Sequence, residues 1–268
     1  MVNSQRLLTV LVGFILIFSI LVLAPIELFV AAICLLSLLG FIEFLRMFKI
    51  GEDRGLYRGS LIIFTLIDLT YIIPPFRNLS IGLTAPPLFI FILALIVRKP
   101  NQNGIEKTAI VIMGAVYTTL LLHYLIAMRS LANGRELVFI LSLGTWTRDV
   151  IAYLFGRLIK AGHTILPAIS PRKTYEGAVC GLVFTTIAVG VSGRLLVPTW
   201  SVTTIITIGS LIGILGQIGD LFESWLKRNA NVVDSSKIFL AQGGILDSFD
   251  SFVFTAPAIY FFLILLKS

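Results

Sequence analysis

The chain has 268 residues, of which 57% are apolar and only 13% are charged, and its mean hydropathy is +0.98. Soluble domains carry about 25% charged residues, so this composition excludes a water-soluble globular protein. The net charge of +7 does not indicate nucleic acid as a partner, because most basic residues lie in short loops between apolar runs. A polytopic membrane protein is predicted instead.

Apolar stretches of about 17 to 25 residues, together with some shorter ones, recur along the chain. They predict an all-α fold, a polytopic integral membrane helix bundle with about nine transmembrane helices. The predicted spans are Leu7–Ala24, Leu28–Ile42, Leu61–Ile73, Ile81–Val97, Thr108–Met128, Leu137–Leu158, Gly177–Leu196, Val202–Leu221 and Phe252–Leu266. Asp68 interrupts the third span, so eight or ten spans stay open. The first span is longer than the apolar run of a signal peptide, and we expect it to be retained.

The basic residues predict the orientation of the chain. Fifteen of the 21 lysines and arginines lie on the side of the N-terminus and of the loops after spans two, four, six and eight. Five lie on the other side, and Arg148 is inside the sixth span. The positive-inside rule places the richer side in the cytoplasm. We therefore expect a multi-pass protein of a cell membrane, the bacterial inner membrane, with a cytoplasmic N-terminus.

Acidic residues divide the chain into two regions. Half of the fourteen lie between the sixth span and the start of the ninth, namely Asp149, Glu176, Asp220, Glu223, Asp234, Asp247 and Asp250. Ionisable groups in or beside apolar spans are costly and often functional. We expect residues 1–136 to form a scaffold of about five spans. Residues 137–268 are expected to form the catalytic region, with cytoplasmic loops at 159–176 and 222–250.

Two pairs of carboxylates have the spacing of one helix face. Asp220 and Glu223 are three apart at the end of the eighth span, and Asp247 and Asp250 are three apart before the ninth. Together they offer hard oxygen ligands for Mg²⁺ bound partly through a substrate's phosphates. Helix capping and solvation at the membrane surface are the alternative interpretation.

Basic and hydroxyl groups accompany these acids, at Ser170–Thr174 and at Lys227–Arg228, and Gly243–Gly244 provides a flexible turn. This combination suits a nucleoside triphosphate held with a metal. There is no Walker A sequence, which excludes an ordinary P-loop ATPase.

Other polar residues have structural interpretations. His123 lies in a span and His163 in a loop, and we expect both to be structural. Cys34 and Cys180 lack metal-ligand spacing and are expected to be small core residues. Glycines of the seventh and eighth spans indicate close helix packing, with a groove for a lipid chain as the weaker alternative.

Two ordered blocks of residues resemble the phosphatidate cytidylyltransferases, also called CDP-diacylglycerol synthases. The first block comprises Asp149, Ala152–Tyr153, Gly156, Ser170–Pro171, Lys173–Thr174 and Glu176–Gly177. The second comprises Gly219–Asp220, Glu223–Ser224, Lys227–Arg228, Asp234, Gly243–Gly244, Asp247 and Asp250–Ser251. The resemblance therefore covers roughly Thr145 to Ser251.

Four positions depart from the family pattern. Val233 stands where the pattern has Lys, Leu240 where it has a small residue or Pro, Gln242 where it has His, and Ser248 where it has Arg. If the missing groups bind CTP phosphates, this chain should bind the nucleotide more weakly, or compensate with the basic residues Arg172, Lys173, Lys227, Arg228 or Lys237.

The resemblance implies a Mg²⁺-dependent transfer of a cytidylyl group from CTP to phosphatidic acid, which forms CDP-diacylglycerol and pyrophosphate. Asp220 and Asp247 are then the principal metal ligands with Glu223 and Asp250 in support, and room remains for a second monovalent or divalent cation. The negative charge of the phosphates would be neutralised by Lys173, Lys227 and Arg228. Ser170, Arg172, Glu176 and Ser224 are further substrate-binding candidates.

Two alternatives stay open. Relatives of this family include CTP-dependent kinases of lipid alcohols, which would release CDP instead of pyrophosphate. The charges Asp68, Arg148 and Asp149 within spans are also compatible with a transport pathway. The expected partners are CTP, phosphatidic acid and membrane lipids, with no nucleic acid, and a homodimer is allowed for.

Overall fold

A computed structural model of the chain describes residues 23–72, 88–93, 103–159, 162–236 and 243–266. Its helices are α1 (Ile26–Met47), α2 (Arg54–Ile72), α3 (Gly104–Ala115), α4 (Tyr124–Arg129), α5 (Gly134–Leu158), α6 (Tyr175–Leu196), α7 (Val202–Asn229) and α8 (Ile245–Leu265). A short 3-10 helix, Ile50–Glu52, follows α1, and residues 88–93 are helical. The helical membrane class predicted from composition is confirmed.

Six stretches within the described residues are long and apolar enough to cross a membrane, namely α1, α5, α6, α7, α8 and the continuous run Gly104–Arg129 that contains α3 and α4. Helix α2 corresponds to the third predicted span, which Asp68 interrupts, and it is not one of these six stretches. Most of the first predicted span and most of the fourth lie outside the described residues. The count of nine therefore stays a prediction.

One face of α6 shows how the bundle meets its surroundings. Apolar side chains four residues apart are all exposed along this helix, at Val179, Val183, Ile187, Val191 and Leu195. Residues four apart lie above one another on a helix. This continuous apolar stripe is the surface that a lipid environment covers.

The C-terminal helices pack in chain order, α5 against α6, α6 against α7 and α7 against α8. Glycines allow the close approach: a Cβ on Gly213 would lie 3.0 Å from the Cα of Leu182 in α6. The N-terminal helices form a second layer, in which α1 packs against α2 and Phe41 stacks on Phe64 with ring centroids 4.3 Å apart. Helix α8 contacts both α7 and α1, so it joins the two layers.

Between α3 and α4 the chain forms a π-helical segment, Val116–Leu120, in which the N–H of Leu121 donates to the carbonyl of Val116. Single π turns widen a helix and shift the direction of the side chains that follow. His123 lies directly after this segment.

A two-stranded antiparallel sheet stands between α5 and α6, in the predicted loop 159–176. Strand β1 (Thr164–Leu166) pairs with β2 (Ser170–Thr174), with Leu166 opposite Ser170. The chain turns directly from β2 into α6, where the hydroxyl of Thr174 accepts from Gly177 N at 3.1 Å and caps the helix. The hairpin was not predicted from the sequence, since β1 has only three residues.

Candidate active site

The carboxylates predicted as metal ligands lie on two helices whose polar ends meet. Helix α7 continues about two turns beyond the predicted eighth span, so Asp220, Glu223 and Lys227 share one face. Helix α8 starts at Ile245, which places Asp247 and Asp250 in its first two turns. The two helices pack against each other, and both predicted pairs therefore belong to one site.

Lys227 connects the two pairs. Its Nζ forms an ion pair with Glu223, one turn earlier in α7, and lies 2.5 Å from Oδ1 of Asp247. Glu223 is only 2% exposed, and a buried carboxylate of this kind is stable only with a charged or hydrogen-bonding partner. Together with neighbouring side chains these residues form a carboxylate–lysine cluster, which comprises Lys173, Asp220, Glu223, Lys227, Asp247 and Asp250.

Asp247 also organises the start of α8. Its Oδ2 accepts from Gly244 N at 2.7 Å, from Ser235 N at 3.1 Å and from Ser235 Oγ at 2.7 Å. Gly244 is the N-cap residue and Asp247 the third residue of the helix, so the carboxylate satisfies an N–H that the helix leaves open. Gly243 has φ of 90°, and a Cβ there would fall on the Asp247 carboxylate. Asp247 therefore caps helix α8, and it is also one of the residues proposed to bind Mg²⁺.

The hairpin brings Lys173 to the cluster. Lys173, near the end of β2, forms an ion pair with Oδ1 of Asp220, and both side chains are partly buried. In the sequence these residues are 47 positions apart, Lys173 in the predicted loop 159–176 and Asp220 at the end of the predicted eighth span. The structure therefore assembles acids from α7 and α8 with one lysine from α7 and one from β2.

Two of the predicted substrate-binding or catalytic residues brace the hairpin. Glu176 accepts from His163 N at 3.0 Å and contacts His163 Nδ1 at 2.8 Å. Arg228 Nε donates to the carbonyl of Ile169, and its Nη1 donates to the carbonyl of Val232, each at 3.2 Å. Both groups hold the hairpin against neighbouring segments. Among the described residues, neither Glu176 nor Arg228 contacts a carboxylate of the carboxylate–lysine cluster.

Arg148 links α5 to the start of α8. This side chain is 1% exposed, donates from Nε to Asp149 Oδ1 at 3.1 Å and from Nη2 to Ser251 Oγ at 2.7 Å. The Ser251 hydroxyl in turn donates to Asp250 Oδ1 at 2.9 Å. A Cβ on Gly216 would lie 3.0 Å from Cζ of Arg148, so glycine leaves room for the guanidinium.

Sequence reasoning missed Glu43, a residue of α1 in the region expected to be scaffold. It is 2% exposed and accepts from Ser236 Oγ at 2.5 Å, from Ser235 Oγ at 3.2 Å and from the backbone N–H groups of Ile245 and Leu246 at 3.1 Å each. The same carboxylate thus holds the loop after α7 and the first turn of α8. An acid directly after the apolar run Leu28–Ile42 was the available signal.

The remaining predicted residues lie around this site. Ser170 begins β2, Arg172 is exposed on the same strand, and Ser224 is buried in α7. Of the four family departures, Val233 is 69% exposed after α7, and Ser248 Oγ donates to the Gly244 carbonyl at 3.1 Å. Leu240, Gln242 and Lys237 lie outside the described residues. The prediction that Asp220 and Asp247 share a metal stays a prediction.

Comparison with known proteins extends the family resemblance from residues 145–251 to nearly the whole chain. A family model described as the cytidylyltransferase family matches residues 4–266. A phosphatidate cytidylyltransferase of Synechocystis is 31% identical over 98% of this chain and 97% of its own length. Proteins of the same name from Staphylococcus saprophyticus and Bacillus subtilis are each 32% identical, over 85% and 66% of this chain and 80% and 65% of their own lengths.

Proposed function

The chain belongs to the cytidylyltransferase family, and from this premise we propose that it transfers the cytidylyl group of CTP to phosphatidic acid. The products are CDP-diacylglycerol and pyrophosphate. The observation that supports this proposal best is the carboxylate–lysine cluster, in which Lys227 joins Glu223 to Asp247 and Lys173 joins Asp220. It combines groups that neutralise phosphate charge with oxygen ligands for a cation.

The reaction forms one P–O bond and breaks another. A phosphate oxygen of phosphatidic acid attacks the α-phosphorus of CTP, and the bond from the α-phosphorus to the bridging oxygen breaks with its electron pair going to pyrophosphate. The attacking phosphate monoester is already anionic near neutral pH, so no dedicated base is needed. The residues of the site are therefore best used to hold the triphosphate in line and to neutralise its charge.

Carboxylate oxygens are the ligands that Mg²⁺ prefers, which supports a Mg²⁺ site here, although among the described residues no three carboxylates of the cluster have oxygens that all lie within 4.8 Å of one another. Glu223 Oε1 is buried and has no hydrogen-bond partner among the described residues, which leaves one hard oxygen available inside the site. Around the cluster, the three cationic groups Arg148, Lys173 and Lys227 face five carboxylates, including Asp149. Asp220, Glu223 and Asp247, with Asp250 in support, would hold the ion. When bound, Mg²⁺ would withdraw negative charge from the phosphates of CTP.

The lysines are the second half of the site. Lys173 and Lys227 pair with acids of α7 and α8 from two different elements, and we expect both ammonium groups to contact the triphosphate. An ammonium is a compact charge with three donors and suits phosphate oxygens. Arg172 is exposed on the same strand as Lys173, whereas Arg228 contributes by holding the hairpin.

We further propose that the site faces the cytoplasm of a bacterium whose inner membrane holds the helices. The charge bias of the loops supports this orientation, and CTP is available on that side. A cytoplasmic N-terminus, a homodimer and the absence of nucleic-acid binding belong to the same proposal.

A turnover assay in detergent tests the proposed reaction. The purified chain is incubated with CTP, Mg²⁺ and phosphatidic acid, and pyrophosphate and the CMP-bearing lipid are measured together. Release of pyrophosphate in step with CDP-diacylglycerol is expected. In a parallel reaction with diacylglycerol in place of phosphatidic acid, release of CDP would instead identify a lipid-alcohol kinase. The variant with Gln242→His and Ser248→Arg is expected to lower the KM for CTP, because it restores two groups of the family pattern.

A further inference from the structure

A second group of polar side chains lies in the N-terminal layer, outside the site already described. Cys34 in α1, Asp68 in α2 and His123 before α4 are 6%, 4% and 0% exposed. His123 Nε2 lies 3.2 Å from Asp68 Oδ1 and 3.7 Å from Cys34 Sγ. Among the residues that the structure describes, they are the group of three His, Cys, Asp or Glu whose ligand atoms all lie within 4.8 Å of one another.

The orientation of His123 is that of a metal ligand. Its Nδ1 lies 2.6 Å from the carbonyl oxygen of Thr119, which can only accept, so Nδ1 carries the proton. In the neutral ring the lone pair is then on Nε2, the atom that faces Cys34 and Asp68. Metal-binding histidines characteristically donate their other N–H to a carbonyl or carboxylate in this way. The π-helical segment that contains Thr119 directs the ring towards the two other side chains.

The carboxylate is oriented too. Ser37, one turn after Cys34 in α1, donates from Oγ to Asp68 at 3.3 Å to Oδ1 and 3.1 Å to Oδ2. Tyr71 stacks on the His123 ring with centroids 4.3 Å apart. Each donor is therefore held by a neighbour, as expected of a preorganised metal site.

Two of the three distances between donor atoms match the edges of a zinc tetrahedron. With Zn–N and Zn–O bonds of about 2.0 to 2.1 Å and a Zn–S bond of about 2.3 Å, tetrahedral angles give N···O edges of about 3.3 Å and S···N edges of about 3.6 Å. The observed values are 3.2 Å and 3.7 Å. A mixed S, N and O donor set also favours a transition metal over Mg²⁺ or Ca²⁺.

Charge supports the same assignment. A buried carboxylate and a buried thiolate are each costly in an apolar bundle. One divalent ion bound by a thiolate, a carboxylate and a neutral imidazole makes the whole group neutral. The ordinary alternative is an imidazolium–carboxylate pair beside a neutral thiol, since Cys34 Sγ also lies 3.5 Å from the carbonyl oxygen of Asp68 and can donate to it. Cobalt substitution separates these two arrangements.

We propose that Cys34, Asp68 and His123 bind one zinc-class transition-metal ion, which ties α1, α2 and the segment before α4 together. The site is separate from the carboxylate–lysine cluster, since none of its ligands belongs to α5, α7, α8 or the hairpin. Cys34 precedes Glu43 by nine residues, or about 13 Å along α1, so the ion lies deep in the bundle. Its role is structural, because all three donors are buried.

Cobalt substitution of the full-length protein tests this proposal. The protein is purified in detergent under reducing conditions, metal content is measured by mass spectrometry, and Co²⁺ is exchanged into the chain. We expect about one metal ion per chain, with a thiolate-to-cobalt charge-transfer band and the intense visible bands of a tetrahedral site. Only a site that contains a cysteine gives the charge-transfer band, so Co²⁺ bound at the carboxylate–lysine cluster is distinguished from it.

Three variants locate the ion. Cys34→Ser is expected to lose the charge-transfer band, and His123→Gln to lose most of the bound metal, whereas the matched control Cys180→Ser, in α6, keeps both. A native chain that shows no charge-transfer band after reconstitution with Co²⁺ overturns the proposal without reference to any variant. Retention of the band in Cys34→Ser, or its loss in Cys180→Ser, overturns it as well.

Discussion

The two polar groups of this bundle meet the cost of burial in different ways. In the carboxylate–lysine cluster each pairing joins a carboxylate to an ammonium, and Asp220 and Lys173 keep 32% and 19% of their side chains exposed. The Cys34, Asp68 and His123 group is closed, contains no lysine or arginine, and is held by a serine and a backbone carbonyl. Ion pairs at a partly open site can exchange partners when a substrate arrives, whereas a closed set of donors holds one arrangement.

The largest effect on activity is expected from a substitution at Asp247, in the carboxylate–lysine cluster. Asp247→Asn keeps the size of the side chain and can still accept from Gly244 and Ser235, but loses the charge that faces Lys227. We expect the turnover rate to fall by at least about 10²-fold, because the site loses transition-state stabilisation of several kcal/mol. The assay is pyrophosphate release at saturating CTP.

The matched control for this variant is Glu106→Gln, which neutralises an exposed acid in the first turn of α3. It should leave the rate unchanged. Full activity in Asp247→Asn would remove this carboxylate from the mechanism, and the cluster would then be a structural set of ion pairs.

Lys173 separates charge neutralisation from metal binding. Lys173→Met removes the ammonium that pairs with Asp220 while keeping much of the apolar stem. We expect the KM for CTP to rise by about tenfold or more, equivalent to about 1.4 kcal/mol of lost binding. Lys173→Arg keeps the charge and should recover most of the affinity. Equal KM values in Lys173→Met and the native chain would show that this lysine does not reach the nucleotide.

Glu43 tests whether the N-terminal layer supports the site. Each oxygen of Glu43 accepts from one serine hydroxyl and one backbone N–H, so Glu43→Gln places an NH₂ group against two donors and at least one buried backbone donor loses its partner. A loss of about 1 to 3 kcal/mol in the free energy of unfolding is expected, with a lower turnover rate. Thermal unfolding in detergent measures the first and the pyrophosphate assay the second.

Glu52→Gln, an exposed acid of the 3-10 helix after α1, is the control for Glu43. It should unfold at the temperature of the native chain. If Glu43→Gln also did so, the four hydrogen bonds would contribute nothing to the stability of α8.

The smallest effect is expected at Glu176. Its partner His163 has a side chain that is 82% exposed, and exposed ion pairs contribute little because water competes for both charges. Glu176→Gln should therefore change the turnover rate by about threefold or less. A fall comparable to that of Asp247→Asn would mean that Glu176 binds substrate directly, as the family resemblance suggested, and does more than brace the hairpin.

Much of the site was predictable because its residues are unusual for their surroundings. Asp220, Glu223, Lys227 and Asp247 stand out as charges at the ends of apolar runs, and their three- and four-residue spacing predicts a shared helix face. Glu43 and Lys173 were harder, since the contacts of each cross long stretches of chain. No local periodicity encodes a pairing between α1 and the start of α8.

The sequence by itself determined the membrane class, the helical elements, the family and the acids of the proposed active site, because hydropathy and helix spacing are local properties. Tertiary structure alone decided that a β-hairpin delivers Lys173 to Asp220, that Glu43 holds the start of α8, and that Cys34, Asp68 and His123 meet. These are contacts between distant segments, set by how whole helices pack against one another. A sequence read residue by residue predicts which groups are costly to bury, and only the packing shows which partners offset that cost.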